Sequence, residues 1–293
     1  MNILICAVVS VIIIKSTANI ALVDLTVYDY HLRTGIPKAV RMMAAEARDL
    51  AMKNIDKIVG GHLTDIAKVP YQAGLVIKVL HLFTSVCGGS LISPTRVVTA
   101  AHCNHDGRTK AQAITVVLGS NSLFSGGERI DSNGVIVHSN WNPNTTANDI
   151  AIVFIPSVNF SDIIRPISLP SQYEMLDTFL GWTAIASGYG LTKSGNAISK
   201  NQRISLVLLP IISNKQCEDV YGEDLVKAEK ICTDGTNGHG TCNGDSGGPL
   251  AVNIDDRTIL IGITSFGARV GCDKGYPAAY SRVTSYVEWI RAI

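Results

Sequence analysis

Gly244-Asp245-Ser246-Gly247-Gly248-Pro249 is the stretch on which the reading of this chain turns. By itself it describes a tight turn carrying a hydroxyl. Two further segments give it a chemical meaning: Leu91 to Cys103, reading LISPTRVVTAAHC, and Asn148-Asp149-Ile150-Ala151. A hydroxyl is a weak nucleophile that becomes a strong one when an imidazole takes its proton and a carboxylate orients that imidazole. His102, Asp149 and Ser246 supply those three groups in that chain order, tens of residues apart, so only folding can bring them together. Acyl transfer also needs two backbone N–H groups aimed at one developing negative charge. Gly244 lacks the Cβ that would block a turn presenting them, which makes the N–H groups of Gly244 and Ser246 the candidate donors.

Working outward, the chain from residue 58 onward is strand-like. Short β-rich runs occur at Thr115–Leu118, Gly134–Val137, Ile150–Ile155, Ile204–Ile212, Ile259–Ser265 and Ala278–Val283, separated by Gly, Pro, Asn and Asp. Many short strands joined by turns predict antiparallel barrels or a sandwich. Val283, Tyr286, Val287 and Ile290 fall on one face of a closing helix. Residues 19–57 differ in texture. Lys38 to Asn54 is rich in Ala, Met, Glu and Arg, and Met43, Ala47, Leu50 and Ala51 recur at helical spacing. A segment this short is not expected to fold as a domain unaided.

Composition narrows the class. With 46% hydrophobic residues, 17% charged residues and a net charge of +1, the chain is globular and offers no basic block for nucleic acid. Ile3 to Ile14 is almost wholly apolar and is followed by Lys15 and the small residues Ser16-Thr17-Ala18. The run is shorter than the roughly 20 residues of a bilayer span, so residues 1–18 read as a signal peptide for secretion. Of the seven cysteines, Cys6 leaves with that leader. Cys87, Cys103, Cys217, Cys232, Cys242 and Cys272 remain, an even number in an oxidising compartment, with no C-x-x-C pair to suggest a metal site. Disulfides are expected, though the count alone leaves their connectivity open.

Ile58-Val59-Gly60-Gly61, Thr99–Cys103 (TAAHC), Asn148–Ala151 (NDIA) and Gly244–Pro249 together resemble the chymotrypsin/trypsin-like serine protease family, across all of 58–293. The resemblance implies an all-β fold of two six-stranded antiparallel β-barrels with a C-terminal helix and the site between the barrels. It implies catalytic roles for His102, Asp149 and Ser246, an oxyanion hole at Gly244 and Ser246, and a supporting role for Ser265 beside Asp149. It pairs Cys87 with Cys103, Cys217 with Cys232 and Cys242 with Cys272. It also reads 19–57 as an activation propeptide and 58–293 as the peptidase domain. Cleavage after Lys57 by a trypsin-like protease would free an α-ammonium on Ile58, which pairs with Asp245 in the family.

Departures from the family sharpen the expectations. Ser168 stands where chymotrypsin has a cysteine tethering its propeptide, and residues 19–57 contain no cysteine, so the propeptide is expected to leave after cleavage. It also lacks the six-cysteine clip pattern of some insect cascade proteases. Residues 118–129, which match trypsin's calcium loop, offer Glu128 as their one acid, so no metal or other cofactor is expected. The specificity pocket has Gly240 at its base and Gly267 and Ala278 as walls, with no aspartate to pair a Lys or Arg unless Asp273 reaches in. Burying an unpaired cation is costly, so aromatic and large aliphatic P1 residues are expected. An elastase-like or broad-specificity enzyme and an inactive homologue acting as a binding protein are the alternatives.

VCGGSL, SNWNPNT, TCNGDSGGPL, TSFG and YPAAYSRVTSY look most similar to chymotrypsin-like proteases of insect midguts, which implies digestion in a gut lumen. The expected partners are polypeptide substrates, the activating protease and protein inhibitors, with no nucleic acid, no membrane after signal removal, and a monomeric enzyme. Asn144 and Asn159 lie in glycosylation sequons.

Overall fold

The computed structural model describes residues 25–51, 62–190, 203–236, 245–271 and 274–293. The signal region, the Lys57-Ile58 bond, Gly240, Cys242, Gly244, Cys272 and Asp273 therefore lie outside the described residues. Among those described, no helix is long and apolar enough to cross a membrane.

The first element is helix α1 (Ile36–Ala51), entered through a π-helical turn at His31–Gly35. The sequence places this helix correctly but not its inward face. Ala39, Met42, Ala45 and the charged Lys38 and Glu46 are buried, while Met43 and Ala47 are exposed. A hydrophobic periodicity does not register Lys38 and Glu46, which have polar reasons to face inward.

After the two-residue strand β1 (His62–Leu63), the chain forms β2 (Gln72–Val79), β3 (Phe83–Ser93), β4 (Arg96–Thr99), β5 (Ala113–Leu118), β6 (Glu128–Asp131), β7 (Gly134–Val137) and β8 (Ala151–Phe154). Their sheet order is β6-β5-β2-β3-β4-β8-β7, all antiparallel. Because only Ser132 and Asn133 separate β6 from β7, these two are one bent strand, and the bend closes the sheet into a six-membered barrel. Leu75, Ile77, Val97, Val116 and Ile152 fill it.

The second barrel contains β9 (Thr183–Gly188), β10 (Ser205–Ile212), β11 (Lys230–Thr233), β12 (Pro249–Ile254), β13 (Arg257–Phe266) and β14 (Ala278–Arg282). Pairing of β9 with both β10 and β12 closes that ring, and β1 adds to β10 as an extra edge. Leu209, Ile231, Leu250, Ile261 and Tyr280 form its core. Closed barrels leave no unpaired sheet edge, which explains how so many short strands persist.

Helix α2 (Asn214–Tyr221) begins with a reciprocal cap: Gln216 N donates to Ser213 Oγ at 3.2 Å and Ser213 N to Gln216 Oε1 at 3.1 Å. Helix α3 (Val287–Ala292) follows a 3-10 turn at Val283–Ser285, and Val283, Tyr286, Val287 and Ile290 are buried along one face, as their spacing predicts.

Candidate active site

His102 sits in the short 3-10 turn that follows β4, and Cys103 beside it is bonded to Cys87 on β3. This disulfide closes a short loop, and cross-links of that span contribute about 3 kcal/mol through the unfolded state. It ties the histidine's turn to the barrel wall. Cys217 is likewise bonded to Cys232, joining α2 to β11. Cys87, His102 and Cys103 have metal-ligand geometry, but both sulfurs are spent in the disulfide.

Asp149 stands just before β8 and is buried. Its Oδ2 lies 2.8 Å from His102 Nδ1, and its Oδ1 accepts the His102 backbone N–H at 3.0 Å. Ser265 Oγ, at the end of β13, donates to the same Oδ2 at 2.6 Å, and Ser281 Oγ donates to the Asp149 carbonyl at 2.8 Å. Burial pushes the Asp149 carboxyl up, but His102, Lys230 and the Ser265 hydroxyl outweigh it and hold the group below the usual carboxylate range. The carboxylate therefore stays ionised and fixes the imidazole with Nε2 facing away from it.

Sequence reasoning missed Lys230. This lysine on β11 is buried and donates to the Thr146 carbonyl at 2.6 Å and to Ser265 Oγ at 3.3 Å. Burial lowers its pKa to about 8, and the Asp149 charge opposes that shift. A line of contacts therefore runs from the Lys230 ammonium through Ser265 and Asp149 to His102. A lysine inside a strand run has no local pattern that would reveal this position.

Ser246 is held between the barrels. Its carbonyl accepts from Gly88 N on β3 at 2.7 Å, and the next residue, Gly247, donates its N–H to Thr264 O on β13 at 2.8 Å. Gly247 has φ +80, and a Cβ there would stand 2.2 Å from Thr99 Oγ1 and 2.6 Å from Gly88 O. The glycine is thus required for the approach of β3 to the Ser246 turn. Asp245 is turned inward, accepting from Gly190 N at 2.9 Å. Of the expected pocket walls, Gly267 has open space where a Cβ would stand, and Ala278 is buried at the start of β14 within the second core.

Tyr30, from the segment before the barrels, is fully buried against these residues. Its ring meets that of His102 edge-on with centroids 4.8 Å apart, and its hydroxyl donates to Val86 O at 2.6 Å. Burial drives the phenol's pKa far above the usual tyrosine value, and the Ser246 side chain beside it opposes that shift. His102 Nε2 has no hydrogen-bond partner among the described residues.

Residues 58–290 match the model of the Trypsin family. The chain is 41% identical over 238 residues to the protein named Brachyurin from Leptuca pugilator, covering 80% of this chain and 97% of that one. It is 37% identical over 235 residues to the Collagenase of Hypoderma lineatum, covering 80% and 86% respectively. It is 35% identical over 237 residues to Serine protease 1 of Drosophila melanogaster, covering 80% and 84%. The solved structure of HL collagenase superposes with a TM-score of 0.72 at 37% identity, covering 80% of this chain and 97% of that one. With both barrels closed and the family match spanning both, this chain belongs to the trypsin family of serine proteases.

Proposed function

We propose that the protein is a secreted serine endopeptidase, inactive as a precursor and activated by cleavage after Lys57. The observation that carries this reading is the hydrogen-bonded line from Ser265 through Asp149 to His102. In the working enzyme His102 Nε2 takes the proton from Ser246 Oγ as that oxygen attacks the scissile carbonyl. Asp149 stabilises the imidazolium that forms and holds its orientation, and His102 then protonates the leaving amine. The backbone N–H groups of Gly244 and Ser246 hold the developing oxyanion. Substituting Ser246→Ala should lower kcat by about six orders of magnitude in the cut enzyme with its melting temperature unchanged. Activity near the parent's would refute the reading.

Activation follows from the inward Asp245. An ammonium on Ile58 entering beside it would complete a buried ion pair, whose loss is strongly unfavourable and which therefore works as a switch. The disulfides fit an oxidising, extracellular setting, in keeping with secretion, and the digestive role in a gut lumen rests on the resemblance to insect midgut proteases.

For specificity, the unfilled space at Gly267 supports an open, uncharged slot that takes Phe, Tyr, Leu or Met. Such a side chain gains up to about 2–3 kcal/mol on leaving water, whereas Lys or Arg would lose hydration without a partner. The second reading is a broader specificity, favoured by the relative named Collagenase. Comparing kcat/KM on matched Phe, Leu, Ala and Arg substrates separates the two. A clear preference for Phe and Leu supports the first reading, similar values across the set support the second, and a leading Arg substrate would bring Asp273 into the pocket.

A further inference from the structure

The segment before the barrels occupies the cleft of the enzyme just described, and the manner of its binding points beyond a simple leader. Leu25 forms an antiparallel bridge with Ala268, and Thr26 N donates to Gly267 O at 3.0 Å while Gly267 N donates to Thr26 Oγ1 at 3.1 Å. Arg269 reinforces this edge by donating to the carbonyls of Leu25 at 2.6 Å and Tyr28 at 2.8 Å. Adding an extended chain to a free strand edge is a general mode of peptide capture. Here it uses the residues directly beyond Ser265.

The chain then stops resembling a substrate. It turns at residues 26–29, with Asp29 at φ 50, and coils into the His31–Gly35 turn directly after Tyr30. What meets His102, with Ser246 beside it, is therefore a phenol and not a peptide carbonyl. No bond is presented there for cleavage.

Outside the cleft the segment has its own anchors. His31 N donates to Asp106 Oδ2 at 2.9 Å, and its Nδ1 lies 2.9 Å from Ser85 Oγ. The Glu46 carboxylate on α1 accepts from Leu123 N at 2.9 Å, Phe124 N at 3.0 Å and Ser125 Oγ at 2.9 Å. Leu25, Val27, Tyr30, Ala39, Met42 and Ala45 are buried along the way. None of these contacts is made by Lys57 or Ile58.

We propose that residues 25–51 are a dedicated inhibitor of the cleft and stay bound without a covalent link after cleavage at Lys57, so that activity appears only when the segment dissociates or is degraded. The proposal rests on the serine endopeptidase reading. It replaces the expectation that the lack of a cysteine alone frees the propeptide: a missing disulfide permits release, but the packed surface opposes it.

The test cuts the full chain after Lys57 with an immobilised trypsin-like protease. It then follows size-exclusion elution, activity against dilution, and Ser246 labelling by a sulfonyl fluoride. The segment should co-elute with the domain at micromolar concentration, labelling should be slow, and both labelling and turnover should rise at least tenfold on dilution. Apparent KM should fall as the segment leaves, with kcat constant. Tyr30→Ala and the milder Glu46→Gln should each shift the rise to at least tenfold higher protein concentration, with the same kcat after full dissociation. A segment that elutes free with full activity at every concentration would overturn the proposal, as would full-rate labelling while it co-elutes. A dissociated domain that neither labels nor cleaves would instead overturn the endopeptidase reading.

Discussion

In the N-terminal barrel, Leu75, Ile77, Val97, Val116 and Ile152 pack into a closed core whose strands satisfy one another's backbone groups. In segment 25–51, Asp29, His31, Thr34, Lys38 and Glu46 are buried beside Leu25, Val27, Tyr30, Ala39 and Met42, which pack into clusters with barrel residues, and the segment has no core of its own. The barrels are therefore held by many small, interchangeable contacts, and the segment by apolar and directional contacts in nearly equal number. Hydrogen bonds to a charged group contribute about 1.5–3 kcal/mol each and vanish with one substitution. A covering element held in this way can be firm at rest and still removable.

Three experiments would break or sharpen this contrast. The largest effect is expected where the two regions meet. Substituting Asp149→Asn removes the charge that orients His102 and should lower kcat of the cut, dissociated enzyme by about four orders of magnitude, the usual cost of a misplaced imidazole tautomer. Stopped-time peptide hydrolysis measures it, and a loss below tenfold would mean that Ser265 and the backbone hold the ring without the carboxylate.

Next comes a paired core truncation. Leu75→Ala should destabilise the barrels by about 2–5 kcal/mol, through lost burial and the cavity left behind. Met42→Ala on α1, measured in the uncut chain, should leave the barrels' unfolding midpoint nearly unchanged while weakening the segment's hold after cleavage. Urea denaturation of both variants as uncut chains tests whether the two regions are energetically separate. Equal losses from Leu75→Ala and Met42→Ala would show that they are not.

The smallest effect concerns Lys230. A positive charge beside Asp149 opposes protonation of the Asp149–His102 pair, so Lys230→Met should make that protonation easier. The acid limb of kcat/KM should therefore move to higher pH. Burial has already lowered the Lys230 pKa to about 8, so the parent sheds this charge above that pH. The two profiles should therefore differ on the acid side and converge above pH 8. Coincident acid limbs would assign Lys230 a packing role only.

The legible part of the fold was local. Runs such as Thr115–Leu118 and Gly134–Val137 became β5 and β7 because β-branched residues bounded by turn formers announce a strand within a few positions. Glycine-rich stretches did not announce themselves. Cys87-Gly88-Gly89 lies inside β3, where the near-absence of side chains lets the Ser246 turn approach, and a propensity reading weighs glycine against a strand. Nor could the sequence reveal that Asp131 and Gly134 belong to one bent strand, since the bend is stabilised by Ile114 and Phe154 on neighbouring strands.

By itself the sequence determined that a hydroxyl, an imidazole and a carboxylate stand in glycine-bearing motifs on a β-rich chain, because residue identity and short-range period are properties of adjacent positions. It also determined a helix within Lys38–Asn54 and the inward face of Val283, Val287 and Ile290. Only the tertiary structure decided that Tyr30 would lie on His102, that Lys230 would reach Ser265, and that α1 would turn Glu46 and not Met43 inward. Each of those outcomes depends on a partner between 35 and 80 positions away in the chain. Such pairings arise from the way closed barrels bring remote strands and loops together, and a buried polar group is chosen by the partner that satisfies it, which no neighbouring residue encodes.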